Sequence, residues 1–208
     1  MPSRDHYEDL WQRLPEGLDP ADFTARLRFL LAHVSQGERV LDVGCGEGRF
    51  AGELTRAGAK VVGIDIAEEA LRRARKAEPE LDLRLIEEAA PWPMEDASFD
   101  VVWAGEVLEH VADTAAWLSE VRRVLPPGGR LLLSTPDNGP LTLLGAAISR
   151  AAFAARFDPQ GEHLRFYSRP TLNRLIEEFG FQEVKIRHHG GFPGARRLLL
   201  ASAVRARF

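Results

Sequence analysis

Three glycines at alternate positions, Gly44, Gly46 and Gly48, follow a short apolar run in the stretch RVLDVGCGEGRF. Glycine permits a positive φ, and because it lacks Cβ the backbone can approach a bound molecule closely. Such a turn at the carboxyl end of a first parallel strand is typical of sites for nucleoside-containing ligands. The spacing differs from GxGxxG, and Glu47 and Glu53 near the next helix start would repel a pyrophosphate. The stretch therefore predicts a ligand without phosphate.

Side chains that follow the neighbouring strands indicate what this ligand is. Asp65 ends the second predicted strand, where a carboxylate can accept hydrogen bonds from ribose hydroxyls. Ile66 is placed to pack on an adenine ring, and Glu88, after the third strand, to accept from the adenine amino group. Asp42, just before the glycines, is placed to hold an ammonium directly or through water. Ribose, adenine and ammonium together indicate S-adenosylmethionine.

Apolar runs and helical patterns alternate along the chain and would position these residues. The alternation predicts a parallel sheet with helices on both faces. Two β-rich runs joined by GGFPG predict a terminal antiparallel pair. The predicted strands are 40–43, 60–64, 82–86, 99–103, 130–134, 181–188 and 196–204, and the predicted helices are 6–13, 22–34, 50–57, 67–77, 113–125 and 170–179.

Composition limits the classes of function. The chain has 208 residues and a net charge of −4, which disfavours a nucleic-acid partner. A single cysteine, Cys45, and an N-terminus without a signal-peptide core favour the cytoplasm. No apolar run reaches the about 20 residues that span a bilayer, so stable membrane insertion is not expected. We expect one domain over residues 1–208, with an N-terminal helical segment 1–34 and a helical insertion 137–161.

Five segments in order resemble the successive motifs of class I S-adenosylmethionine-dependent methyltransferases. They are VLDVGCGEG, VVGIDIA, EEAAPWPMEDASFDVV, AGEVLEHV and VLPPGGRLLLSTP. Within that superfamily, EVLEHV and the STP followed by an insertion are most similar to the small-molecule branch that includes ubiquinone-biosynthesis O-methyltransferases. The resemblance implies an α/β, three-layer Rossmann-like fold whose mostly parallel seven-stranded sheet carries a C-terminal antiparallel strand.

The resemblance also implies which residues contact the cofactor. Relatives usually place Asp where Glu88 stands, so the chain departs from the pattern at the adenine contact. The implied contacts are Gly44, Cys45 and Gly46 for methionine and ribose, Asp65 for the ribose hydroxyls, Glu88 and Ala89 for adenine, and the backbone of Ala104 or Gly105 for the methionine end.

Ionisable residues near and after EVLEHV are candidates for work on the acceptor. A helical turn there would put Glu106, Glu109 and His110 on one face, as a general base or as ligands for a divalent cation. We favour a structural or positioning role for this group and assign no metal. For a hydroxyl acceptor, His110 and His163 are the candidate bases because imidazole titrates near neutral pH. His163 and Tyr167 equally fit a packing role.

The expected function is transfer of the activated sulfonium methyl group to a small-molecule acceptor, with a hydroxyl favoured. In the insertion LTLLGAAISRAAFAARF, Arg150 and Arg156 interrupt apolar residues. This predicts a lid over an apolar acceptor in preference to peripheral contact with a membrane. Two alternatives remain, a non-catalytic S-adenosylmethionine-binding domain and a nicotinamide-dependent oxidoreductase. No motif identifies the acceptor or the oligomeric state.

Overall fold

The computed structural model describes residues 4–87, 91–158, 161, 163–191 and 197–207, except for the side chains of residues 145, 146, 152, 155 and 156. Within these residues the strands are β1 (Arg39–Val43), β2 (Lys60–Asp65), β3 (Asp82–Leu85), β4 (Val101–Gly105), β5 (Arg130–Pro136), β6 (Phe181–His189) and β7 (Leu198–Arg205). The helices are α1 (Arg4–Arg13), α2 (Phe23–Leu31), α3 (Arg49–Arg56), α4 (Glu68–Ala77), α5 (Thr114–Val124), α6 (Pro140–Ile148), α7 (Arg150–Arg156) and α8 (Arg169–Glu178).

The strands form one sheet in the order β3-β2-β1-β4-β5-β7-β6. Strands β1 to β5 pair in parallel, whereas β7 is antiparallel to both β5 and β6. The fold prediction is therefore confirmed, including the antiparallel strand near the C-terminus. Val43 is in register with Ile64 of β2 and with Ala104 of β4. The carboxyl ends of β1, β2 and β4 consequently meet where the strand order reverses, which is where such sheets bind ligands.

Alternating side chains of the central strands build a core on each face of the sheet. Leu41 and Val43 belong to one apolar cluster, and Val40, which precedes Leu41, belongs to the other. Likewise Ala104 packs in the first cluster and Trp103 in the second. Successive strand residues point to opposite faces, so both faces of the sheet are covered.

Strand β4 lies two residues later than the sequence indicates. The amide of Phe99 donates to the carbonyl of Val124, and the amide of Asp100 donates to the carbonyl of Arg39. These bonds hold residues 99 and 100 in the connection to the sheet, so the strand begins at Val101. The shift brings Ala104 and Gly105 to the carboxyl end of the strand.

Within the part of the chain that the structure describes, none of the helices combines the length and the hydropathy that a membrane span requires.

Candidate functional site

A cavity of about 760 Å³ lies at the carboxyl ends of β1 and β2 and the loop after β4. Apolar side chains of α1 and Gly44 of the predicted glycine turn line it, together with His110, Glu106 and Trp92. Trp11 of α1 lies close to the turn, since a Cβ on Gly46 would be 2.9 Å from its ring. The cavity thus joins residues that sequence reasoning assigned to a cofactor with residues that it assigned to the acceptor.

The glycine turn is shaped for close backbone approach. The amides of Gly44 and Cys45 both donate to the carbonyl of Ile64, at 2.8 and 3.1 Å. Gly44 has a φ of +67°, and a Cβ there would lie 2.5 Å from Cγ2 of Val107. Gly44 therefore lacks room for any side chain, as well as having a backbone that favours glycine. Cys45 is buried, and burial raises the pKa of its thiol. Its side chain packs with Leu71, Ala74 and Leu83 and is not among the residues that line the cavity.

Asp65 is bonded to the turn at the end of β2. Its Oδ2 accepts from the amide of Gly46 at 2.9 Å, and its Oδ1 accepts from the amide of Ala67 at 2.9 Å. The side chain lines the cavity beside Ile66 although the residue is only 8% exposed. Each carboxylate oxygen keeps a lone pair for a further donor. A pair of vicinal hydroxyls is a suitable source of such donors.

Asp42 is a buried carboxyl group with an unused acceptor. Among the described residues its Oδ2 has no hydrogen-bond partner, and the residue is 2% exposed. Burial raises the pKa of Asp42 to about 8, and the nearby charge of Arg26 opposes this rise. Its predicted contact with an ammonium stays a prediction.

The raised pKa makes Asp42 a source of pH-dependent stability. Between the pKa of the unfolded chain, 3.8, and about 8, the folded state holds a proton that the unfolded state has released. The free energy of unfolding therefore falls as pH rises through this window, by at most about 1.4 kcal/mol per pH unit. We expect Asp42→Asn to flatten this fall, measured by urea unfolding at pH 5, 6.5 and 8.

Asp100 provides a control, because its pKa is shifted in the opposite direction to that of Asp42. Its hydrogen bonds from Arg39 lower the pKa of that carboxyl group. The contribution of Asp100 is lost only as pH falls through this lowered value, so Asp100→Asn should leave the slope above pH 5 unchanged. If the free energy of unfolding fell equally with pH in Asp42→Asn and in the parent protein, Asp42 would not be the source of the pH dependence.

Arg26 is a buried cation next to the expected site that sequence reasoning missed. It is 2% exposed, and its guanidinium lies 4.8 Å from the ring centre of Phe50 and 5.7 Å from that of Trp103. Its Nη1 donates to the carbonyl of Ala21 at 3.1 Å, whereas Nε has no partner among the described residues. A Cβ on Gly105 would collide with Nη2, so this glycine makes room for the guanidinium.

A signal for Arg26 exists in the sequence. It lies three residues after Phe23 and four before Leu30, and so on the apolar face of α2. An arginine on such a face needs a partner in the interior. Burial lowers the pKa of Arg26, while the charges of Glu106, Glu109 and Asp42 act to raise it. The guanidinium thus places a buried positive charge beside Gly105, although Arg26 is not among the residues that line the cavity.

The loop after β4 does not form the expected helical turn. Glu106 has a φ of +59°, and its amide donates to the carbonyl of Ser134 at 3.0 Å. This bond extends the pairing of β4 with β5 by one residue and prevents a helix from starting there. The carboxylate of Glu106 accepts from Oγ of Ser134 at 3.0 Å, and burial raises its pKa. A non-glycine residue in the left-handed region is a strain often found at functional sites.

Glu109, His110 and His163 come together instead of the expected trio. Glu109 is 1% exposed, with Oε2 accepting from Oγ1 of Thr135 at 3.0 Å. Its Oε1 lacks a hydrogen-bond partner within the described part of the chain and lies 4.0 Å from Nε2 of His110. The rings of His110 and His163 are 4.9 Å apart at 75°. One donor atom from each of the three residues lies within 4.8 Å of the others, a spacing that suits a cation or a proton relay.

The remaining expected site residues lie in different environments. Ala104 is fully buried in β4, and Gly105 lies beside Arg26. Tyr167 is 7% exposed and packs in the core, which favours the packing role. Glu88 and Ala89 lie outside the described residues, and the predicted adenine contact therefore remains a prediction.

The sequence matches the model of a family described as "Methyltransferase domain" over residues 11–186. The ubiquinone biosynthesis O-methyltransferase of Nitrosococcus oceani is 39% identical over 143 residues, which cover 66% of this chain and 60% of the relative. The enzyme of the same name from Burkholderia pseudomallei is 34% identical over 184 residues, covering 85% and 79%. The chain spans about three fifths of the length of the first of these relatives.

Solved structures show the same fold at lower identity. An S-adenosylmethionine-dependent methyltransferase from Mesorhizobium loti has a TM-score of 0.69 at 23% identity, covering 89% of this chain and 98% of that one. Phosphoethanolamine N-methyltransferase 2 of Haemonchus contortus, solved with S-adenosyl-L-methionine, has a TM-score of 0.73 at 17% identity, covering 98% and 57%. At these identities the likeness concerns the fold.

Proposed function

This chain belongs to the methyltransferase-domain family, and from that premise we propose that it transfers a methyl group from S-adenosylmethionine to a small-molecule acceptor, preferentially a hydroxyl oxygen. The observation that carries the proposal is the cavity in which Asp65 and the glycine turn face His110. The names of the relatives, ubiquinone biosynthesis O-methyltransferases, support a hydroxylated aromatic acceptor. The same family membership leaves the nicotinamide-dependent oxidoreductase without support.

The residues of this chain fit the parts of S-adenosylmethionine. Asp65 would bind the ribose hydroxyls, and Ile66 would pack on the adenine ring. The buried guanidinium of Arg26 would bind the carboxylate of the methionine moiety, since it presents donors in a dry environment where a charge-assisted bond is strong. The backbone next to Gly105 and the Oδ2 of Asp42, which lacks a hydrogen-bond partner among the described residues, would accept hydrogen bonds from the ammonium.

When bound, S-adenosylmethionine supplies a methyl group on a positively charged sulfur, and this sulfur is a good leaving group in an in-line displacement at the methyl carbon. The protein has to hold the acceptor oxygen in line and exclude water, and positioning of this kind can account for much of the rate. His110 lines the cavity next to Glu109 and His163, and would accept the hydroxyl proton as the oxygen attacks.

His110→Ala should separate cofactor binding from methyl transfer. We expect the affinity for S-adenosylhomocysteine to stay within about twofold, and kcat to fall about 100-fold because a general base is lost. Calorimetry gives the affinity and production of S-adenosylhomocysteine gives kcat. His33→Ala is the matched control, because His33 bonds to the carbonyl of Phe29 and does not line the cavity. Unchanged kcat in His110→Ala would remove His110 from the catalytic role.

Turnover on a panel of acceptors tests the proposed function. The protein is incubated with S-adenosylmethionine and a catechol, a phenol with an apolar tail or a primary amine. We expect S-adenosylhomocysteine to form with the hydroxylated aromatics, and mass spectrometry to locate the methyl group on oxygen. Binding of the cofactor with no turnover on any acceptor would instead support a sensor or scaffold. Repeating the assay with a chelator tests whether the group at Glu109 holds a metal.

The insertion is the candidate cover for the acceptor. Leu144, Ile148, Phe153 and Phe157 in or after α6 and α7 are exposed, and the rings of Phe153 and Phe157 are 4.8 Å apart. An apolar acceptor would supply a partner for such side chains. Peripheral contact with a membrane and the cytoplasmic location both stay predictions from the sequence.

A further inference from the structure

We propose that α1 is a cover over the cofactor cavity, fastened to α4 by Glu8 and Arg73, and that it opens and closes as the cofactor exchanges. Here the cover means residues 4–17. The inference rests on the proposed function, because the cavity that the cover closes is the proposed cofactor site. Glu8 and Arg73 act through the position of α1 and are positioning residues.

The cover has little core of its own. None of the residues of α1 is buried. Tyr7, Leu10, Trp11 and Leu14 recur at intervals of three and four, so they share one face, and this face lines the cavity. The apolar surface that would normally hold such a helix therefore faces the space that the cofactor would fill. An occupant of the cavity would stabilise the docked position by contact with this face.

Polar contacts fasten the cover to α4 by reciprocal capping. Helix α4 starts after Ala67, which has no side-chain cap, and both carboxylate oxygens of Glu8 accept from the amide of Glu69 at 3.1 Å. In return Arg73 of α4 donates to the carbonyl of Leu14 at 2.9 Å and to that of Trp11. Each contact places a charge at the helix end whose dipole it complements.

The same group of contacts connects the cover to the glycine turn through Glu47. Arg73 is 6% exposed and pairs with Glu69 at 2.8 Å and with Glu47 of the turn at 3.2 Å. The other oxygen of Glu47 accepts from the amide of Gly17 at 2.8 Å. A cover that moves must therefore break contacts with the turn that binds the cofactor, which couples the two.

Docking of the cover also completes the acceptor side. The ring of Tyr7 lies 6.0 Å from that of His110, edge to face. When the cover opens, the ring of Tyr7 would move away from His110, the proposed general base. The cofactor should therefore bind before the acceptor, and release of S-adenosylhomocysteine should require opening.

Glu8→Ala tests the cover, with Asp9→Ala as the matched control. Asp9 lies on the same helix, and its only ion pair among the described residues is the exposed contact with Arg13 at 3.7 Å. Both variants remove one negative charge, but the charge of Glu8 also acts to raise the pKa of Asp65. Glu8→Gln removes the same charge and therefore controls for this effect. We expect Glu8→Ala to raise the dissociation rate of S-adenosylhomocysteine about tenfold, since it removes a charge-assisted cap. Asp9→Ala should stay within about twofold, and Glu8→Gln, which keeps an acceptor oxygen, should lie between.

Two measurements are needed. Stopped-flow tryptophan fluorescence gives the dissociation rate, and hydrogen exchange follows the amides of residues 4–14. In the parent protein S-adenosylhomocysteine should slow exchange in this segment, and in Glu8→Ala the protection should be reduced while amides 70–77 of α4 exchange normally. Equal dissociation rates in the two alanine variants, or no protection of residues 4–14 by the ligand, would overturn the cover and leave the proposed function intact. A parent protein that does not bind S-adenosylhomocysteine would overturn both.

Discussion

Arg26→Met is expected to weaken the binding of S-adenosylhomocysteine about 100-fold. The guanidinium would lose its charge-assisted bonds to the ligand carboxylate, which are worth about 2–3 kcal/mol. Methionine fills similar space between Phe50 and Trp103. Removing the cation leaves the nearby carboxyl groups of Asp42, Glu106 and Glu109 without an opposite charge, so the melting temperature should fall as well.

A ligand without the carboxylate isolates the role of Arg26. Methylthioadenosine has the adenine and the ribose but no amino acid, so its affinity should be the same in Arg26→Met and the parent protein. Arg28→Met is the control on the same helix, since Arg28 is exposed. Isothermal titration calorimetry measures all these affinities. Equal losses for the two ligands in Arg26→Met would mean that the arginine supports the fold of the site and does not bind the carboxylate.

Asp65→Ala is expected to abolish measurable binding of both ligands, or to weaken each by about 100-fold or more. The change removes two bonds to the ribose hydroxyls, and it also frees the amides of Gly46 and Ala67, each held at 2.9 Å. A hydrogen bond to a charged group contributes about 1.5–3 kcal/mol, so the loss of the two bonds to the ribose hydroxyls alone would weaken binding about 100-fold or more. Calorimetry with S-adenosylhomocysteine and methylthioadenosine provides the measurement.

Two further variants serve as controls for the effect of Asp65→Ala on ligand affinity. Asp82→Ala removes a carboxylate of the same sheet that pairs with Arg84 at the surface, and it should leave both affinities unchanged. Asp65→Asn keeps one acceptor oxygen for the turn, so its affinity should lie between those of the parent and Asp65→Ala. A folded Asp65→Ala protein with parent-like affinity would refute the proposed site.

The fold could be predicted because its determinants are local in the sequence. VVGI and RLLLS are nearly continuous apolar runs, as expected of strands covered on both faces. Glycine, proline and polar residues mark the turns between them. The glycine turn and Asp65 were found for the same reason, because each directly follows such a run. The error at β4 concerned its start, which is set by the hydrogen bonds of Phe99 and Asp100 to distant residues.

Arg26 could not be assigned a role from the sequence, because its environment is assembled from two distant segments, α3 and β4. Phe50 comes from α3, Trp103 from β4, and the open space beside Nη2 exists only because residue 105 is glycine. The pattern shows an arginine on an apolar helix face, but the partners that make it a binding group come from tertiary packing.

The group at Glu109 depends on long-range contacts in the same way. The carbonyl of Glu109 accepts from the amides of Leu164 and Arg165 at 2.8 and 3.0 Å, which brings His163 to His110. Spacing within EVLEHV suggested Glu106 as the third member, but its left-handed backbone directs the carboxylate to Ser134. A helical period cannot anticipate a backbone conformation that pairing with β5 imposes.

A crystal structure with S-adenosylhomocysteine tests the central claim most directly. We expect the ribose hydroxyls within about 3 Å of the Asp65 carboxylate and the ligand carboxylate within about 3 Å of the Arg26 guanidinium. The sulfur should face His110. A ligand whose carboxylate points away from Arg26, or whose ribose lies away from Asp65, would contradict it.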